Sequence, residues 1–146
     1  MLSREERLGY HDIPQNRVSV ASHVDRVMAA EAIVLVHPVW NYGLPAILKG
    51  YMDRVFLPGV SFRMENGVVQ PNLTHIRRIT TVCTYGGTHL RTWLMGDPPR
   101  KITTRLLRAT APNAKVRYHA LYDMNRNDRA TLEKFLDHVG RHLERF

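Results

Sequence analysis

An α/β fold with a parallel sheet covered by helices is predicted by three features of this chain. First, the apolar run Ala32-Ile33-Val34-Leu35-Val36, rich in β-branched residues, has the composition of a strand buried on both faces. Second, a loop bounded by Pro38 and Pro45 follows it and leads into an amphipathic helix. Third, two further strand-like runs, 79–83 and 116–121, alternate with helical patterns, as βαβ units require. A length of 146 residues, with 44% hydrophobic and 23% charged, predicts one domain over 1–146 with a real core.

The elements follow in order. Residues 1–15 are polar and charged; from composition alone they read first as a flexible amino-terminal tail, the other reading being a connecting segment with one helical turn over Ser3-Arg4-Glu5-Glu6-Arg7. Val20, Val24, Val27 and Met28 mark an amphipathic helix over about 17–31, feeding almost directly into the first strand. His37 precedes a proline and is biased away from helix, so the chain leaves the sheet and turns through Asn41, Tyr42 and Gly43. Pro45 suits a first helical turn, and Ile47, Leu48, Tyr51, Met52, Val55 and Phe56 recur at helical spacing as one apolar face. Leu57-Pro58-Gly59 stops that helix. Glu65-Asn66-Gly67, between Phe62-Arg63-Met64 and Val68-Val69, reads as a hairpin turn.

The next strand, 77–84, ends in Thr84-Tyr85-Gly86-Gly87, where two glycines let a ligand approach the backbone. Residues 89–109 are mostly helical, broken at Gly96-Asp97-Pro98-Pro99, with Ile102, Leu106, Leu107 and Ala109 as the apolar stripe. After the last strand, Asn127 is the expected cap of a final helix whose stripe is Leu132, Phe135, Leu136, Val139 and Leu143. In open parallel sheets, the loops beyond the carboxyl ends of the strands line the ligand crevice. The loops at Trp40 and Gly86 are therefore the candidate site.

Composition excludes several other functions. The net charge of +8 raises nucleic acid as a partner. Yet the one cluster, Arg100, Lys101, Arg105 and Arg108, lacks interleaved aromatics and any helix-turn-helix or finger spacing. It reads as a solvated face, the other reading being a positive field that attracts the phosphates of a dinucleotide. No apolar run can span a bilayer, the first twenty residues hold no signal-like core, and Cys83 is the sole cysteine, so a cytoplasmic setting is expected. Cys83, in an apolar run, reads as inert packing. His138 and His142 stand four apart but lack a third ligand nearby and read as a solvent-facing pair, so no metal is expected. Asp53 and Arg54 read as part of a structural ion-pair network. No nucleophile elbow, Walker loop or Gly-x-Gly-x-x-Gly occurs.

The stretch Pro38-Val39-Trp40-Asn41-Tyr42-Gly43-Leu44-Pro45-Ala46-Ile47-Leu48-Lys49-Gly50-Tyr51-Met52-Asp53-Arg54-Val55 resembles the signature of the flavodoxin-like NAD(P)H:quinone oxidoreductases, including modulator-of-drug-activity reductases and the ancillary subunits of potassium efflux systems. The resemblance implies a flavodoxin-like three-layer sandwich, of which 1–146 is a partial domain carrying strands 3, 4 and 5. Relative to a complete member, the resemblance leads one to expect that the first strand-helix-strand, about 30 to 50 residues, is lacking here. The first strand present is then expected to be an open hydrophobic edge.

The resemblance also implies FMN or FAD as cofactor and NAD(P)H as co-substrate. Pro38, Val39, Trp40, Asn41, Tyr42, Gly43, Thr84, Tyr85, Gly86 and Gly87 would bind the flavin, and Tyr85 and Phe62 would line the substrate pocket. The implied activity is ping-pong reduction of a quinone-like acceptor by a homodimer. The alternative is a non-enzymatic interaction module, such as a transporter partner, or a truncated member with weak flavin binding. Some members carry a histidine where Met95 stands here, so no catalytic residue is assigned.

Overall fold

The computed structural model describes residues 2–146. Met1, the first residue of the polar opening segment, lies outside the described residues. The rest of that segment is organised by one carboxylate. Ser3 caps helix α1 (Arg4–Leu8) in a reciprocal box with Glu6, so that two amides at the helix start are satisfied. Glu6 also accepts from Ser19 Oγ at 2.6 Å and from the Arg54 guanidinium. The Ser19 hydroxyl, the Ser3 amide and Arg54 together hold its carboxyl down to about 2. Arg54 is thus structural, as is Asp53, which pairs with Lys49 at 2.6 Å one turn away.

The helix expected over 17–31 is divided into a 3₁₀ stretch, Gln15–Val20, and α2 (Ala21–Ala29), whose Val24 and Val27 are buried. Strand β1 (Ala32–Val39) and helix α3 (Ala46–Val55) follow. In α3, Met52 and Val55 enter the core while Ile47 stays 86% exposed, so the apolar face is narrower than its spacing predicts. β2 (Phe62–Glu65) and β3 (Val68–Pro71) form the expected hairpin, with Asn66 and Gly67 both at positive φ. β4 (Arg78–Tyr85) leads to α4 (His89–Leu94). A long helical segment then runs through α5 (Pro98–Lys101), a wide π turn over Ile102–Leu107, and α6 (Arg108–Thr110). β5 (Lys115–Leu121) and α7 (Arg129–Leu143) complete the order. Asp128, not Asn127, caps α7, accepting from Thr131 N–H at 2.8 Å. Asn127 instead bonds the Tyr122 carbonyl.

The three main strands form a parallel sheet in the order β1-β4-β5, with helices on both faces. This is the flavodoxin-like α/β arrangement that the sequence predicts. One face carries the core: Val24, Met52, Val55, Ile79 and Leu107 are buried together, with Ile33, Leu35 and Val116 packed against them. On the other face, α7 contributes buried Val139, and His142 Nε2 lies 3.1 Å from Thr80 Oγ1. α7 meets β4 through His142 and Thr80 and β5 through His138 and His119. Val34 is 42% and Val36 73% exposed, which corrects the reading of β1 as buried on both faces. Leu136 is likewise exposed.

Of the two histidines on the last helix, His138 is exposed as expected, whereas His142 is half-buried. His138 Nε2 shares a 3.1 Å hydrogen bond with His119 Nδ1 on β5, and the His119 and His142 rings lie 4.5 Å apart. Burial, together with the charges that His142, His138 and Arg117 bring close, pushes the His119 pKa down. An unfolded histidine binds its proton at about pH 6.5. Below that pH the unfolded chain therefore holds more protons than the folded one, and stability falls as pH drops toward the folded value. Urea unfolding at several pH values is expected to give a plateau above about pH 7 and a decline below it, with a smaller decline in His119→Gln. In the core, Ile79→Ala is expected to cost about 2–5 kcal/mol in the same assay, because its site is closed on all sides.

Candidate functional site

The rim of the sheet is built by register. β1 and β4 run parallel with Pro38 opposite Thr84 and Val39 opposite Tyr85, so their carboxyl-end loops emerge side by side. At the end of β1, Trp40 and Gly43 exchange backbone hydrogen bonds of 3.2 and 2.8 Å across a tight turn. Asn41 and Tyr42, at φ 48° and 57°, occupy its two central positions. Asparagine tolerates the left-handed region, whereas for tyrosine it costs of the order of 1–3 kcal/mol, a kind of strain that clusters at ligand sites. The turn leaves the Trp40 ring 62% exposed.

The β4 loop meets this turn at Gly87. A methyl group there would lie 3.7 Å from Tyr42 Oη and 3.9 Å from Thr92 Oγ1, and one at Gly86 would lie 3.7 Å from Asn125 Nδ2. These are ordinary contact distances, and neither glycine has a positive φ. The protein's own packing and backbone therefore do not require glycine at either position. Nearby, Thr92 Oγ1 and His37 Nε2 are buried without a hydrogen-bond partner among the described residues, and such groups call for an explanation. A third loop, after β5, joins the rim: Asp123 N–H donates to the Gly87 carbonyl at 2.9 Å, and Asn125 stands over Gly86. Sequence reasoning missed this loop, although its position after a parallel strand was the available signal.

Beneath the rim lies a closed polar network. Tyr85 Oη donates to Asp97 Oδ1 at 2.6 Å and also bonds Tyr118 Oη, while its ring stacks on Tyr122 at 4.7 Å. Arg100 donates from Nε to Asp97 Oδ2 and from Nη2 to Tyr122 Oη, both at 2.9 Å, and lies over the Tyr118 ring. Burial pushes the pKa of Tyr85 and Tyr118 up, so both phenols stay neutral. The Tyr85 ring is 1% exposed and belongs to the support below the loops, not to a surface that a substrate touches. Phe62 lies elsewhere, in the wall of an apolar cavity of about 420 Å³ with Tyr10, Leu44, Met52 and Phe56. The structure does not bring Phe62 and Tyr85 into one pocket. Pro38 and Val39 belong to β1 itself and Thr84 to β4, so they hold the rim from below.

Cys83 is buried and donates to Tyr118 Oη at 3.0 Å, and desolvation pushes its thiol up to about 11. Its alkylation at pH 8 is expected to be slow in the native protein and fast after unfolding in urea. Equal rates in the two states would show that the network is open.

A family profile described as flavodoxin-like fold matches residues 2–143. Over 69 residues, 46% of this chain and 33% of the relative, the sequence is 41% identical to a Haemophilus influenzae protein named uncharacterized NAD(P)H oxidoreductase. Over 63 residues, 43% of this chain and 31% of the relative, it is 38% identical to a Hahella chejuensis protein named FMN-dependent NADH:quinone oxidoreductase 2. The chain thus spans about a third of the length of these relatives. Among solved structures, an NAD(P)H:quinone oxidoreductase from Methanothermobacter marburgensis superposes with a TM-score of 0.77 at 23% identity, covering 97% of this chain and 73% of that one. At that identity the likeness is one of fold.

Proposed function

From the premise that this chain belongs to the flavodoxin-like fold family, we propose that it serves flavin-dependent reduction of a quinone-like acceptor by NAD(P)H. The observation that carries this reading is the pair Gly86-Gly87, open without a reason internal to the protein, beside the strained turn that presents Trp40. A flat ring needs such a place: backbone amides along one edge, an aromatic side chain beside it, and no Cβ in between. Of the two flavins, FMN is favoured because it appears in the name of the Hahella relative.

In this reading, the backbone of 41–43 and 86–87 holds the ring edge, and Trp40 and Tyr42 flank it. Thr92 Oγ1, otherwise unpartnered, supplies a hydroxyl beneath Gly87. A bound flavin would supply the hydride chemistry between nicotinamide and acceptor. The chain's own part is binding, orientation and exclusion of water. The neutral tyrosines under the rim keep β4 and its loop in place. A cytoplasmic homodimer completes the proposal. A second reading, as an interaction module, draws on the bare face of β1 at Val34 and Val36.

Titration with FMN, followed by NADPH-driven quinone reduction, tests the two readings. The enzyme reading expects flavin uptake with turnover, and a colourless, inactive protein would sink it. Gly86→Val is expected to weaken FMN binding at least tenfold, about 1.4 kcal/mol, because its branched side chain fills the approach to the backbone. Unchanged affinity would move the site away from this loop.

A further inference from the structure

Between α4 and the helical segment that starts at α5 lies a cavity of about 370 Å³ that has no part in the rim described above. Its wall includes His89, Trp93, Arg100, Lys101, Thr104 and Arg105, with Asp97 at its base. The charges there do not cancel. Asp97 is already engaged, one oxygen by Tyr85 and the other by Arg100. Arg100 is in turn held by Asp97 and Tyr122. Lys101 and Arg105 remain, both exposed and neither within ion-pair distance of a carboxylate among the described residues. The cavity therefore carries unmatched positive charge.

Two further features point to a ligand. The Trp93 indole in the cavity wall is 66% exposed, a large flat apolar surface left in water beside the cations. The helix that carries Thr104 and Arg105 is also widened into a π turn there, with Thr103 and Thr104 hydroxyls donating back to the Pro99 and Arg100 carbonyls. Such turns are frequent at functional sites. Two unpaired cations beside an exposed aromatic ring suit a ligand that carries both phosphate and a flat base. The cavity also adjoins the rim. α4 begins at His89, two residues past Gly87, and His89 packs edge-on against Tyr122, whose neighbour Asp123 bonds the Gly87 carbonyl.

We propose that this cavity binds the adenosine-phosphate end of the dinucleotide donor, with Lys101 and Arg105 on phosphate and Trp93 against the adenine. This rests on the reading that NAD(P)H is the donor and names the residues that hold the end remote from the hydride.

The test separates the two. The full chain, without flavin, is titrated calorimetrically with 2′-phospho-ADP-ribose, which has no nicotinamide, and with inorganic pyrophosphate and adenosine as the two halves. Lys101→Gln/Arg105→Gln is compared with Arg108→Gln, an exposed cation on the same helix outside the cavity. The expected result is binding of 2′-phospho-ADP-ribose that weakens at least tenfold in the double variant and less than twofold in Arg108→Gln. In turnover, KM for NADPH should rise in the double variant while kcat and the quinone KM hold. No binding by the parent chain, or equal losses in the two variants, overturns the site. Turnover with an unchanged NADPH KM in the double variant removes the site and leaves the reductase reading intact. Specific binding without turnover keeps the site and removes that reading.

Discussion

The hydrogen bond between Tyr85 and Asp97 is the constraint on which both the rim and the neighbouring cavity depend. A phenol at the last residue of β4 and a carboxylate in the turn before α5 are both buried. Leaving either unpaired would cost about 1–3 kcal/mol, more for the charged group. Paired, they lock the long helix to the sheet at one point. Arg100 takes the other carboxylate oxygen and reaches Tyr122 at the end of β5, so three elements meet there. Asp97 holds a left-handed φ of 44° in this position. The network is what keeps so strained a residue in place.

Above this point the sheet does the positioning. Parallel pairing of β1 with β4 sets the Trp40 turn beside Gly86, and pairing of β4 with β5 brings the Asp123–Asn125 loop over it. Below and beside it, charge does the work. One acid is satisfied twice over, and the cations next to it are left for something else. The same carboxylate thus closes the interior and leaves the adjoining surface electropositive.

Much of this was legible in the chain because it is local. The five-residue apolar run, the Asn66-Gly67 turn, Pro45 at a helix start and the Thr-Tyr-Gly-Gly strand end all carry their meaning within a few positions. What was not legible depends on partners far along the chain. Nothing around Tyr85 announces Asp97 or Tyr118, so the sequence places the ring in the substrate pocket, whereas the fold buries it in their network. His119 gives no sign of His138 and His142, which reach it only when α7 folds across β5. Val34 and Val36 have the composition of buried residues, but burial needs a cover, and composition does not say whether one is there. Asn127 and Asp128 are both good caps in adjacent positions, and the choice falls to whichever side chain the Tyr122 carbonyl does not claim. At Tyr42, local preference pointed away from the left-handed conformation that the turn imposes.

Among the described residues β1 pairs with one neighbour, β4. In a parallel strand, successive residues direct their amides and carbonyls to opposite neighbours, so alternate amides of β1 are tied to β4 while those between them face outward. Isotope exchange along this strand would run in a two-residue rhythm, slow and fast by turns. The most apolar run in the chain is thereby also the one whose backbone is half open to water.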